Sequence, residues 1–171
     1  MAAAPLTQTS ARCVCGAVEV IVTGEPILTA FCYCDSCQAA AKALEGLPDA
    51  PKVADAAGGT PLLLYRRDRM QIAKGEDRLQ DFRLSASSPT RRRVAVCCDA
   101  MMYLDFSKGH WVSIHRERFA PADRPSIEMR VQTRYVAEGL SLPEGGKVYG
   151  KWPLRFLWRL LKAQIAMIVG R

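Results

Sequence analysis

The chain has 171 residues, 49% of them hydrophobic, and a formal net charge of +7. That length suits one domain with a core large enough to fold unaided, which excludes a small scaffold dependent on disulfides. The charge favours anionic partners, such as a nucleic acid, an acidic lipid surface or a small anion, without choosing among them.

The N-terminal stretch MAAAPLTQTSAR has neither a basic region nor a long apolar one, so it does not read as a secretory signal. Residues 1–10 read as a flexible tail. GAVEVIVTG alternates, with Val18, Val20 and Val22 on one side, and reads as a strand ended by Gly24. PILTAFCY is a second β-rich run. DSCQAAAKALEGL reads as a helix, with Asp35 or Ser36 as its cap and Gly46 and Pro48 at its end. After a loop, PDAPKVADAAGGT, come short β-like runs: PLLLY, RMQIAKG, RLQDFRL, RRVAVCC, MMYLDF and HWVSIH. Many short strands with frequent turns predict a mainly β fold. The last segment, PLRFLWRLLKAQIAMIVGR, reads as an amphipathic helix. Its apolar run AQIAMIVG is too short to span a bilayer. The expected compartment is the cytoplasm, where thiols stay reduced and clustered cysteines serve as metal ligands or catalytic groups.

The seven cysteines form three groups: Cys13 and Cys15, then Cys32, Cys34 and Cys37, then the adjacent Cys97 and Cys98. In an extended segment residues i and i+2 point the same way, so Cys13 and Cys15 can face one ion. C-x-x-C at a turn also aims two sulfurs at one centre, and CYCDSC combines both spacings. Three protein thiolates leave one tetrahedral position for water or substrate, the pattern of a catalytic zinc site. The other four cysteines can fill a closed, all-thiolate site. A lone cysteine is more often a core residue. Cys34 and Cys37 can instead form a thioredoxin-type redox pair, but the βαβ context is missing and a third thiol stands just upstream.

These groups resemble the glutathione-dependent formaldehyde-activating enzyme and centromere protein V family. Its pattern is C-x-C-G-A-V, then C-x-C-x-x-C before a helix, then C-x-x-C-G before a strand. CVCGAV at 13–18 and CYCDSCQ at 32–38 match the first two elements, and RRRVAVCCDAMMYLDF stands where the third belongs. The resemblance covers residues 11–137. It implies a mainly β, zinc-binding fold often called a β-tent, and two zinc sites. Cys13, Cys15 and the downstream Cys97 and Cys98 would hold a structural zinc. Cys32, Cys34 and Cys37 would hold a second zinc, which in the founding enzymes lies where glutathione binds and formaldehyde adds to its thiol. Such enzymes are grouped as carbon–sulfur lyases.

The third motif departs from the pattern. With Cys97 on its first position, the second falls on Ala100 and the glycine on Met101. Adjacent strand residues point to opposite faces, so Cys97 and Cys98 share an ion only where the backbone turns or bulges. Three arrangements follow. Cys98 completes the site through a turn, which is the preferred one; three cysteines act with Asp99 or water; or the site holds no metal.

Outside the cysteines the residues are less specific. His110 and His115 are the two histidines, and either can shuttle a proton, although surface or strand-end positions are the plainer reading. Asp35 can orient a ligand or simply cap a turn. Arg91, Arg92 and Arg93 can bind glutathione carboxylates or a phosphate, or form the solvated start of a strand. In the C-terminal helix Arg155, Arg159 and Lys162 share one face. Trp152, Phe156 and Trp158 suit packing on the core or on a partner, and equally an anionic membrane, with packing preferred.

These readings give a zinc-binding domain over 11–137 and a C-terminal extension over 138–171. The expected function is a zinc-dependent carbon–sulfur lyase-type enzyme acting on an adduct of a glutathione-like thiol and an aldehyde. The alternative is a non-catalytic, zinc-stabilised binding module. A zinc open to thiols favours the first, and one closed by a fourth protein ligand favours the second. Expected partners are a small thiol such as glutathione and a second copy through the C-terminal helix. A membrane surface ranks behind them, and nucleic acid last.

Overall fold

The structure is a computed structural model that describes residues 6–170, so residues 1–5 of the expected tail and Arg171 lie outside the described residues. Its elements, in chain order, are β1 (Gln8–Arg12), β2 (Glu19–Thr23), β3 (Leu28–Cys32), α1 (Asp35–Leu44), β4 (Thr60–Arg66), β5 (Met70–Lys74) and β6 (Leu79–Phe82). There follow β7 (Thr90–Ala95), β8 (Ala100–Phe106), β9 (Trp111–His115), β10 (Met129–Val131), β11 (Lys147–Val148) and α2 (Leu154–Ile168). The fold is mainly β with two α-helices, one of them C-terminal.

The strands form two sheets. A three-stranded sheet has the order β1-β2-β5, and an eight-stranded sheet the order β11-β10-β3-β4-β9-β8-β7-β6. Each run read as a strand from the sequence contains one. β1, β10 and β11 are the additions. β1 starts at Gln8, inside the tail expected over 1–10, because a five-residue antiparallel register with β2 satisfies its backbone, from Gln8 opposite Thr23 to Arg12 opposite Glu19. β10 carries little apolar pattern and is fixed by parallel pairing with β3.

The period-2 alternation of the strands decides what packs where. Val18, Val20 and Val22 are fully buried and meet Leu63 and Tyr65 of β4, Val112 and Ile114 of β9 and Phe119. The small sheet therefore lies on one face of the large one. The residues of β4 with opposite parity, Leu62 and Leu64, join a second core with Ala41 and Leu44 of α1 and Phe156 and Leu160 of α2. Both helices thus cover the other face.

The cap of α1 is Cys34, not Asp35 or Ser36. The Cys34 carbonyl accepts from Cys37 N and Gln38 N, both at 3.0 Å, while Asp35 Oδ1 accepts from Ser36 N as a local turn bond. α2 begins after Pro153 and buries Phe156, Leu160 and Ala163. It packs on its own core and leaves Leu154, Leu161, Ile165 and Ile168 exposed on the opposite side. Arg159 pairs with Glu128, whereas Arg155 and Lys162 are exposed. Among the described residues no helix is long and apolar enough to cross a membrane.

Candidate metal centres

The first centre is local. Cys32 ends β3, Cys34 caps α1 and Cys37 sits in its first turn; their three Sγ atoms lie within 4.8 Å of one another. The chain is extended from Cys32 to Cys34, so these two point to one side and Tyr33 to the other. Tyr33 is fully buried and anchors the loop. Its hydroxyl donates to Asp55 Oδ2 (2.8 Å) and accepts from Arg130 Nη1 (2.6 Å), and its N–H donates to Val131 O (3.0 Å). Gln38 Nε2 donates to Tyr33 O at 2.7 Å and to Tyr135 O at 2.9 Å. Gly59 lies against the ring; a Cβ there would come within 2.5 Å of it.

Electrostatics favour one thiolate in this cluster even without a cation. Hydrogen bonds from Cys32 and Cys37 bring the Cys34 thiol down to about 2, and the reciprocal bond with Cys34 holds Cys32 well above the usual thiol range. The N-terminus of α1 adds favourable backbone dipoles. Holding three thiolates together requires a cation.

Arg92 is the nearby buried cation. β7 carries the Arg91-Arg92-Arg93 run, and its alternation divides the three. Arg91 pairs with Asp105 (2.7 Å) and Arg93 with Asp81 (3.4 Å) on one side. Arg92 points to the other side, 2% exposed, and its Nη2 donates to Ser36 O at 3.0 Å. Its Nη1 has no partner. The Cys37 thiol is pushed up to about 12: the bond with Cys32 pulls it down, the bond with Cys34 and burial outweigh that, and the Arg92 charge opposes the rise only weakly. Neither half of the sequence reading describes all three arginines: two are ion-paired and one is buried.

The three-thiol centre opens on a cavity of about 350 Å³ over the large sheet. Leu62 and Leu64 of β4, Leu104 and Phe106 of β8, and Trp111 of β9 form its floor with Arg92. Phe156 and Leu160 of α2 wall it, and the half-exposed Trp152 and Leu157 mark its mouth. With its amide oxygen turned toward Trp152, Gln132 accepts from the indole Nε1 at 2.6 Å and ties the start of α2 to the sheet.

The second centre joins distant segments. Sγ atoms of Cys13, Cys15, Cys97 and Cys98 all lie within 4.8 Å of one another. Cys15 and Cys97 are 3.2 Å apart, Cys13 and Cys15 3.6 Å, and Cys13 and Cys97 3.8 Å. Cys13 and Cys15 converge in a turn, not in an extended segment. Gly16 N donates to Cys13 O (3.0 Å), Gly16 takes φ 74°, and Val18 N donates to Cys13 Sγ (3.2 Å). Cys97 and Cys98 lie in the β7–β8 hairpin turn, where Ala95 pairs with Ala100 and Cys98 N donates to Ala95 O. The backbone therefore turns at the adjacent cysteines.

Asp99 has φ 49°, a conformation that favours glycine. Asp99 is no part of the cluster, and its Oδ2 accepts from Asp49 N at 3.4 Å.

Cys15 is brought down to about 7, first by the Ala17 N–H and then by Cys97, while burial pushes Cys97 up to about 12. Arg118 is buried nearby with Nε unpartnered; burial lowers its pKa and the charge on Cys98 opposes this. Both donor sets are pure sulfur at zinc-compatible spacing, and each has a buried guanidinium with an unmet N–H beside it. Three thiolates on a divalent ion leave one negative charge and four leave two, which such cations offset. The residues present fit zinc.

Neither histidine lines the cavity. His115 ends β9, is fully buried, and places Nε2 3.0 Å from Val53 O; burial brings it down to about 4. It is a strand-end residue, but a core one rather than a surface one.

The family model described as glutathione-dependent formaldehyde-activating enzyme matches residues 8–48. That span holds Cys13, Cys15, Cys32, Cys34, Cys37 and α1. The N-terminal part of the chain is thus similar to that family over those residues. Cys97 and Cys98 lie beyond the span that this family model matches. A crystal structure of a Rhodobacter sphaeroides protein is similar at 15% identity and a TM-score of 0.47, covering 69% of this chain and 96% of that one. No curated protein matches the chain.

Proposed function

We propose that the chain is a zinc-dependent enzyme of the carbon–sulfur lyase type, acting on the adduct of a thiol and an aldehyde. The observation that carries this reading is the three-thiol centre on a cavity: among the described residues its group of candidate ligands stops at three, and space adjoins it. A zinc ion there supplies a fourth position at which an incoming thiol is acidified and kept nucleophilic at neutral pH. Cys32, Cys34 and Cys37 act as ligands and not as nucleophiles. Tyr33, Gln38 and Arg130 hold their loop. Arg92 offsets the negative charge that a further thiolate would bring. In the forward direction sulfur adds to the aldehyde carbon, the C=O π bond opens onto oxygen, and the thiol proton ends on that oxygen. The reverse breaks the C–S bond and restores both reactants, with no oxidant or reductant involved.

The four-thiol centre has its full set of protein ligands and reads as structural. It supports a zinc-stabilised fold but does not favour the purely non-catalytic module, because it leaves the three-thiol centre open. Substituting cobalt for zinc tests the reading. A thiol added to the cobalt protein is expected to change the visible absorption of the wild type and not of Cys34→Ser. An unchanged spectrum in the wild type would refute an open, thiol-accessible position.

A further inference from the structure

We propose that the cavity selects an apolar substrate, an alkyl or aromatic thiol or aldehyde, over the charged tripeptide glutathione. This rests on the reading of the three-thiol centre as a reaction site and names its substrate class. The cavity walls point to this class. Leu62, Leu64, Leu104, Phe106, Trp111 and Phe156 present carbon to a space of about 350 Å³. Apart from the thiol centre itself, Arg92 is the one charged side chain among the lining residues, and it is 2% exposed with one Nη already bonded to Ser36 O. Glutathione would bring two carboxylates and an ammonium group. Removing those charges from water without matched partners is strongly unfavourable, and one guanidinium with a single free Nη cannot match all three. A hydrocarbon chain gains about 0.8 kcal/mol per buried methylene, roughly a fourfold rise in affinity for each.

The mouth favours the same class. Trp152 is 43% exposed and Leu157 50% exposed, so a ligand enters across apolar side chains of α2 and its preceding turn. A basic or hydrogen-bonding rim, which would gather a peptide, is not what these two residues offer.

The test uses the tryptophan emission of the zinc-loaded full chain, since Trp111 and Trp152 line the cavity. The probes are octanethiol, glutathione, and alcohols from butanol to octanol, which carry no sulfur and so read the cavity apart from the metal. Octanethiol and octanol should both quench, with affinity rising about three- to fourfold per methylene along the alcohols. Glutathione should bind at least about tenfold more weakly than octanethiol. Leu157→Glu, at a half-exposed position, should weaken octanol about tenfold while metal content stays the same. Glutathione binding as tightly as octanethiol, or alcohols showing no dependence on chain length, would overturn the inference. Octanol binding in a protein that holds no metal at the three-thiol centre would refute the proposed function, and with it the substrate role, while leaving only a cavity that prefers apolar ligands.

Discussion

The two thiol centres are built in opposite ways from the same ligand type. The three-thiol centre comes from one six-residue stretch between β3 and α1, and it adjoins a cavity. The four-thiol centre comes from two hairpin turns, one in each sheet, with Cys15 and Cys97 separated by 82 residues. A local centre adds little to the order of the chain, so it is free to keep an open position. A centre that ties two sheets together constrains the unfolded chain and stabilises the fold. Under the proposed function, position in the topology, more than ligand chemistry, separates the reactive role from the structural one.

Cys98→Ser is the strongest way to break this contrast. It leaves the four-thiol centre incomplete and is expected to destabilise the protein by several kcal/mol, on the order of 4. Cys34→Ser should lose less than about half of that. Chemical unfolding of both variants checks the difference, and equal losses would erase the distinction.

Gly59→Ala probes the support of the local centre. Its Cβ would meet the Tyr33 ring at 2.5 Å, so a loss of about 1–3 kcal/mol is expected. Thermal unfolding reads that loss, and zinc retention under a chelator should fall with it.

His115 tests the buried end of β9. Its folded pKa, about 4, lies below the usual value of 6.5, so the unfolded chain takes up the proton first as pH falls. The stability is therefore fully present above about pH 6.5 and is lost progressively down to about pH 4. Between pH 7 and pH 5 the wild type should lose about 2 kcal/mol from this group alone. His115→Gln should flatten that part of the pH profile, and an unchanged slope would count against the buried neutral ring.

Arg92→Gln has the smallest expected effect on folding and a selective one on the site. Zinc affinity of the three-thiol centre should drop by roughly tenfold while the four-thiol centre keeps its metal. Competition with a chromophoric chelator measures both affinities in one titration.

Much of the molecule is legible in the sequence where its determinants are local. The strands show in their alternation, and Cys32, Cys34 and Cys37 in their spacing. The four-thiol centre is half legible. The groups of cysteines are plain, but the register at Cys97 and Cys98 depends on a left-handed residue, and an aspartate there gives no glycine signal. Arg92 is hidden by its neighbours. A run of three arginines reads as one basic patch, although strand alternation alone implies that the middle one faces the other way. The role of α2 as a cavity wall is not legible at all. Its amphipathic pattern reveals an apolar face, but which part of the sheet that face covers is set by tertiary contacts such as those of Gln132 and Glu128.

The most direct test of the account is zinc content per chain in protein purified without chelators, for the wild type, Cys34→Ser and Cys98→Ser. Two equivalents in the wild type, falling to one in Cys34→Ser with the fold intact, are predicted from two separate centres. Zinc content unchanged by Cys34→Ser, or no zinc in the wild type, would contradict it.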